Sequence, residues 1–333
     1  MLPFSGFPHV LEAQQFEPEH LISMFEMADA IRSAPERFQG IMSGITAAIL
    51  FAEPSTRTRS SFEFAARRLG AEVFVAEHMK VFSSVAKGES IEDTIRTFLQ
   101  YRVHDNYCFY FIIRWHEEGG VAKAARVAGP DHPVINAGDG SGQHPTQALL
   151  DLYTIYREWH DLNRPLTVMM VGDLKDGRTV HSLTYLLAKF PNVRFVFISP
   201  GSSRMKEGII SHLESHHRQY VEYYDQRLSE ITAREKPDVL YVTRAQLERR
   251  DQAAQAQLRE EYKKYVISNQ VLEHLPASAI IMHPLPRGPE LPEDVDRDVS
   301  ARYFSQMGNG LWLRMALLER IESIRKSQIG HRQ

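Results

Sequence analysis

The stretch ITAAILFAEPSTRTRSSFEFAARRL, residues 45–69, constrains the fold of this chain more than any other. Residues 45–51 are a short apolar run of the kind that becomes a buried strand. Glu53-Pro54 interrupts the run, and Ser55 stands where a helix N-cap belongs. Phe62, Ala65, Ala66 and Leu69 then recur at helical spacing and supply an apolar face. With a further strand at 72–76, the order strand, helix, strand is the βαβ unit of a parallel sheet. Ser55, Thr56, Arg57, Thr58 and Arg59 put three hydroxyls and two guanidiniums into the first turn after a strand, beside backbone N–H groups that have no partner in the helix. Such a turn suits a phosphate group. The plainer alternative is a capped helix with solvated arginines.

The same grammar recurs along the chain. Residues 18–33 predict an amphipathic helix through Leu21, Met24, Phe25, Ala28 and Ile31. Residues 107–113 predict a buried strand that delivers Arg114 at its carboxyl end, where ligands of open α/β sheets collect. A strand at 134–137 leads into a turn with Gly138, Gly140 and Gly142, and then to His144 just before Pro145, a residue favoured at the first helical position. The helix dipole there disfavours imidazolium, so a neutral His144 can donate one hydrogen bond to a carbonyl oxygen; simple capping is the alternative role. Gln147, one turn in, can read the same ligand.

After a polar stretch at 157–165 a second series begins, with strands at 166–171, 193–198, 239–243 and 280–282 and a helix over 203–217. Four strands on each side of residue 150 predict an α/β protein with two doubly wound parallel-sheet domains of similar size. The expected division is 1–145, together with a C-terminal helix within 303–333 that returns to the first domain, and 146–302 as the second domain. Gly308-Asn309-Gly310 reads as the turn before that apolar helix.

Several polar segments follow predicted strands. Ser83, Ser84, Lys87 and Gly88 form a polar loop, in which the lysine is more simply solvated. Gly172 to Thr179 resembles a P-loop except that Arg178 replaces the lysine, a poor exchange between terminal phosphates; an arginine presented to a carboxylate is the better reading. Thr243-Arg244-Ala245-Gln246 places a cation beside an amide, and the polar residues after it predict a solvated helix or loop. His283 to Pro289 holds three prolines in seven residues, a rigid turn that offers backbone carbonyls in fixed positions.

Composition bounds the partners. A chain of 333 residues with 43% hydrophobic and 24% charged content is that of a soluble globular protein with about two domains. A net charge of −3 argues against a nucleic-acid or membrane surface, so any anion site is a local concentration of arginines. One cysteine, Cys108, excludes an internal disulfide and fits a reducing compartment, the cytoplasm; its apolar surroundings make it a core residue. No stretch reaches the ~18 apolar residues of a membrane span, and the N-terminal residues lack the pattern of a secretion signal.

STRTR (55–59), KGES (87–90), HPTQALLDL (144–152), GDLKDGRTVHSL (172–183), TRAQLER (243–249) and HPLPR (283–287) occur in the order found in carbamoyltransferases. From about residue 40 to 320 the chain resembles the aspartate/ornithine carbamoyltransferase family, and the aspartate-specific catalytic chains in particular. Ornithine enzymes usually carry HCLP and SMG motifs; this chain has His283-Pro284-Leu285-Pro286, and Arg244 and Gln246 where SMG would lie. A guanidinium invites a carboxylate and repels an ammonium group.

The resemblance implies attack of the aspartate α-amino group on the carbonyl carbon of carbamoyl phosphate, an early step of pyrimidine biosynthesis, without metal, cofactor or covalent intermediate. It implies that Ser55, Thr56, Arg57, Thr58 and Arg114 hold the phosphate. Thr58, Arg114 and His144 would polarise the carbonyl, and Gln147 with the Pro284 and Leu285 carbonyls would orient the carbamoyl NH2. Arg178, Arg244 and Gln246 would hold the aspartate carboxylates. Ser83 and Lys87 would come from the neighbouring subunit of a homotrimer, with Lys87 also near the aspartate. Glu53 and Arg249 would help hold the domains closed, Glu53 by pairing with arginines across the cleft. A regulatory or partner chain is left open. Trp115-His116 departs from the usual His-Pro, which predicts a looser loop behind Arg114. The competing readings are a transferase for another acceptor such as ornithine, a non-catalytic scaffold paralogue, and a P-loop protein.

Overall fold

The computed structural model describes residues 9–104, 107–247 and 252–330. These fall into two compact units, one drawn from Met1–Leu150 with Gly308–Gln333 and the other from Asp151–Met307. Each is organised on one parallel sheet.

The first sheet comprises β1 (Ile45–Phe51), β2 (Glu72–Ala76), β3 (Cys108–Trp115) and β4 (Val134–Asp139), in the order β2-β1-β3-β4. All seven residues of β1 are buried, as befits a central parallel strand covered on both faces. The helix Thr56–Arg68 turns Phe62, Ala65 and Ala66 inward; truncating a buried phenylalanine such as Phe62 costs about 3–5 kcal/mol. Cys108 is a core residue: its Sγ lies 3.2 Å from the Asp131 carbonyl oxygen, and burial pushes its thiol pKa up to about 12.

The C-terminal helix Tyr303–Gly330 is continuous, so Gly308-Asn309-Gly310 is part of the helix rather than a turn before it. Glycine serves close packing there: a Cβ on Gly310 would stand 3.1 Å from Leu150 Cδ2. The helix is held to the first sheet by Glu322, which accepts hydrogen bonds from Tyr110 Oη at 2.8 Å and from Arg325 Nε at 2.7 Å. Arg325 thereby neutralises a carboxylate that is only 1% exposed.

The second sheet comprises β5 (Leu166–Val171), β6 (Val193–Ser199), β7 (Gln219–Tyr224), β8 (Val239–Val242) and β9 (Ile280–Met282), in the order β7-β6-β5-β8-β9. It has five strands where four were expected. The extra one, β7, is a half-buried edge strand in which three tyrosines stand among Gln219, Val221 and Glu222, without the apolar run that marks a central strand. The helix expected over 203–217 spans only Glu207–Ser215, because Gly201–Ser203 forms a tight turn whose Ser203 carbonyl accepts the Leu174 N–H. The polar helix Gln252–Tyr262 is not wholly solvated: Leu258 and Tyr262 are buried in the core of this unit. Among the described residues no helix is long and apolar enough to cross a membrane.

Candidate active site

In each sheet the chain reverses its direction of growth at one place, and crevices at such places gather ligands. In the first sheet that place is between β1 and β3. Ser55 follows β1 as the N-terminal flank of the helix Thr56–Arg68 and makes no side-chain capping bond. Thr58 is buried, whereas Thr56 and Arg57 are exposed. Arg59 belongs elsewhere: its Nη1 pairs with Glu63 and its Nε with Glu77, each at 3.0 Å. The socket thus has one outward guanidinium, not two.

Arg114 lies inside β3, opposite Phe51 of β1, rather than beyond the strand. The register with β4 shifts between Ile113 and Trp115, so Arg114 sits at a bulge, a device that re-aims a side chain. Its Nη1 donates to the Ala137 carbonyl at 3.4 Å, and its Nε is 3.6 Å from Glu53, a pairing within one unit. Past β4, His144 accepts the Gln147 and Ala148 amides on its carbonyl and so caps the helix Pro145–Trp159. Its ring is buried, with Nδ1 3.4 Å from Thr146 Oγ1, and Gln147 is buried too. Ser55 to Thr58, Arg114 and His144 therefore stand at the carboxyl ends of three neighbouring strands.

The loop behind Arg114 is tied down without a proline. Asp139 accepts the Gly119 amide at 2.9 Å and the Val121 amide at 3.4 Å, and the Trp115 carbonyl accepts the Gly140 amide at 3.0 Å. The indole packs so closely on Gly120 that a Cβ there would lie 2.2 Å from Trp115 Cδ1. Burial raises the pKa of Asp139 from its ordinary value. These contacts stand where the missing proline would otherwise stiffen the loop.

Ser83 and Lys87 follow the edge strand β2, in a short helix Met79–Phe82 and a tight turn Ser84–Lys87 rather than an irregular loop. The Ser83 hydroxyl donates to the Met79 carbonyl at 2.6 Å and accepts the Val85 amide; Lys87 is exposed.

In the second sheet the reversal lies between β5 and β8. Gly172, at φ +117°, lets the two strand ends meet: a Cβ there would stand 2.2 Å from the Thr243 carbonyl oxygen. The buried Asp173 carboxylate accepts the Asp176 amide at 3.0 Å and the Gln246 amide at 3.1 Å. With the Asp176 amide on this carboxylate, the Leu174 amide on the Ser203 carbonyl and the Arg178 amide on the Asp176 carbonyl, the segment is no phosphate nest. Arg178 opens the helix Arg178–Leu187 and is 8% exposed. Arg244 donates from Nη1 to the Ala245 carbonyl at 3.1 Å, with Nη2 3.5 Å from Gln246 Oε1. Pro284 and Leu285 follow β9, the neighbour of β8. Arg249 lies outside the described residues. Sequence reasoning missed Asp139 and Asp173 as organisers of these loops; their placement just at a strand end next to glycine is the one local signal they carry.

The carbamoyl-phosphate-binding domain of aspartate/ornithine carbamoyltransferases matches residues 8–157, and the Asp/Orn-binding domain of the same family matches residues 164–321. The chloroplastic aspartate carbamoyltransferase of Oryza sativa subsp. japonica is 46% identical over 318 residues, covering 93% of this chain and 84% of the relative. The aspartate carbamoyltransferase catalytic subunit of Phocaeicola vulgatus is 42% identical, over 90% of each chain. Among solved structures, aspartate transcarbamoylase from Trypanosoma cruzi with carbamoyl phosphate has a TM-score of 0.85 at 34% identity, over 96% of this chain and 97% of the other. With both domains of one family matched in order and relatives aligned over nearly its whole length, the chain belongs to the aspartate/ornithine carbamoyltransferase family.

Proposed function

We infer that this chain is an aspartate carbamoyltransferase, a transferase that makes N-carbamoyl-L-aspartate and phosphate in pyrimidine biosynthesis. The observation that carries this is the pairing of Arg244 and Gln246 at the reversal point of the second sheet, where a guanidinium beside an amide suits a carboxylate and not an ornithine ammonium group. The T. cruzi enzyme has been solved with carbamoyl phosphate and aspartate together, and this chain matches that structure at 33% identity.

In this reading the aspartate amine forms a bond to the carbamoyl carbon, the bond from that carbon to the phosphate oxygen breaks, and phosphate departs taking up the proton that the amine gives up. Ser55, Thr56, Arg57, Thr58 and Arg114 bind the phosphate. Thr58, Arg114 and His144 donate to the carbonyl oxygen as it gains charge, an effect that in other enzymes is worth a factor of about 10²–10³ per donor. Gln147 and the carbonyls of Pro284 and Leu285 orient the carbamoyl NH2, and Arg178, Arg244, Gln246 and Lys87 bind aspartate. Glu53 keeps Arg114 aligned, and Arg249 supports closure of the site. Catalysis rests on positioning and charge stabilisation.

The protein acts as a homotrimer in which Ser83 and Lys87 complete a neighbour's site. Exposed Phe64, Phe74, Val81 and Phe82, on and around the edge strand β2, support a subunit contact there. The single buried thiol fits a reducing compartment, and we place the protein in the cytoplasm.

The test is ureido-product formation from carbamoyl phosphate with aspartate and ornithine side by side, with molecular mass measured in the same buffer. Carbamoyl-aspartate from a trimer or its multiple is expected. Product with ornithine alone would overturn the reading of Arg244 and Gln246.

A further inference from the structure

The turn after β9 carries a strained residue: Leu285 is not glycine, yet its φ is +52°. His283 lies immediately before this turn and is fully buried. Its Nδ1 accepts the Leu285 amide at 2.8 Å, which requires that nitrogen to be unprotonated. The ring proton therefore sits on Nε2, 3.0 Å from Glu290 Oε1, to which it donates. The same Glu290 oxygen accepts the Gly288 amide at 2.6 Å, so both ends of the turn are fastened to one carboxylate–imidazole pair. The His283 amide is anchored separately, donating to Gln306 Oε1 at 3.0 Å. A histidine whose two nitrogens are both engaged, one on the backbone of the strained residue, fixes the plane of the peptide that joins Pro284 to Leu285.

We propose that His283 is a positioning residue for the carbamoyl group, holding Leu285 in its left-handed conformation so that the Pro284 and Leu285 carbonyl oxygens stay aimed at the carbamoyl NH2, with Glu290 locking the imidazole. This rests on the functional reading above, in which those carbonyls receive the NH2. His283 touches no reacting atom.

The two nitrogens can be tested one at a time in the full chain. In His283→Asn the amide oxygen takes the place of Nδ1 and retains the bond from Leu285. In His283→Gln the amide nitrogen takes the place of Nε2 and retains the bond to Glu290 only. His283→Gln is expected to lower kcat/KM for carbamoyl phosphate by about 30-fold or more. Hydrogen exchange at the Leu285 amide should accelerate in step, while competitive inhibition by inorganic phosphate stays within about twofold. His283→Asn is expected to restore exchange protection and most of the lost kcat/KM. Equal losses in both variants, tracking their melting temperatures, would overturn the proposal, as would an unchanged kcat/KM in a His283→Gln protein whose Leu285 amide has lost protection. Absence of carbamoyl transfer by the unsubstituted protein would instead defeat the functional reading, whereas exchange at Leu285 reads the His283 bond independently of activity.

Discussion

The backbone amide of Gln246 donates to Asp173 Oδ2 at 3.1 Å, joining the segment after β8 to the segment after β5. The other carboxylate oxygen accepts the Asp176 amide, two residues before Arg178. One buried carboxylate therefore holds the loops that carry Arg178, Arg244 and Gln246. In Asp173→Asn one oxygen is replaced by an NH2 that faces an N–H, and that amide is left unsatisfied at a cost of about 1–3 kcal/mol. The expected result is a KM for aspartate raised about tenfold or more, with carbamoyl phosphate affinity unchanged. Steady-state kinetics with each substrate varied in turn decides it; an equal rise for both would point to general loosening.

Arg57 and Arg59 differ in what the fold asks of them. Arg59 is held between Glu63 and Glu77, while Arg57 is exposed in the first turn of its helix. Arg57→Ala should lower kcat by about 1,000-fold and leave the melting temperature within a degree or two, since an exposed side chain contributes little to stability. Near-normal turnover would remove Arg57 from the site.

The distinction between these two arginines was partly legible beforehand: Arg59 has Glu63 at i+4, a helical ion-pair spacing, whereas Arg57 has Ser61. The pairing with Glu77 was not, because it depends on where β2 returns beside the helix. Central strands such as β1 and β5 could be read directly, since burial on both faces writes a nearly continuous apolar run, broken only by Thr46 and Thr167. β7 escaped because an edge strand need bury only part of its surface. The bulge that places Arg114 and the packing of Trp115 on Gly120 are register and contact effects with no periodic signature. The loss of proline after Arg114 was visible, but its compensation by Asp139, 25 residues downstream of Arg114, was not.

A shared site has a signature that no single-chain site can give. Lys87→Ala and Arg57→Ala should each be nearly inactive alone. Dissociated, mixed and reassembled at equal amounts, they should regain about one quarter of the unsubstituted activity, because random assortment pairs an intact Arg57 with a neighbour's intact Lys87 at about one interface in four. Recovery of no activity would place Lys87 within its own chain's site, and a Lys87→Ala protein that is active alone would place it outside the site.

Acid sensitivity of the first unit follows from two buried histidines. His9 Nδ1 accepts the Val134 amide and His132 Nδ1 accepts the Phe109 amide, each at 3.1 Å, so both rings must be neutral where they sit. Burial lowers the pKa of each from 6.5 to about 4. Unfolding exposes them to water and restores the higher value, so between about pH 6.5 and 4 the unfolded chain binds more protons than the folded one. Stability is therefore full above about pH 6.5 and falls as the pH is lowered through this window, on the order of 2 kcal/mol for each ring. Urea unfolding at pH 7 and pH 4.5, followed by near-ultraviolet circular dichroism, should show the loss. His132→Asn keeps an acceptor for Phe109 but cannot titrate, and is expected to reduce the difference between the two pH values by about half. A pH difference unchanged in His132→Asn would mean that carboxylates, not buried imidazoles, set the acid limit of this fold.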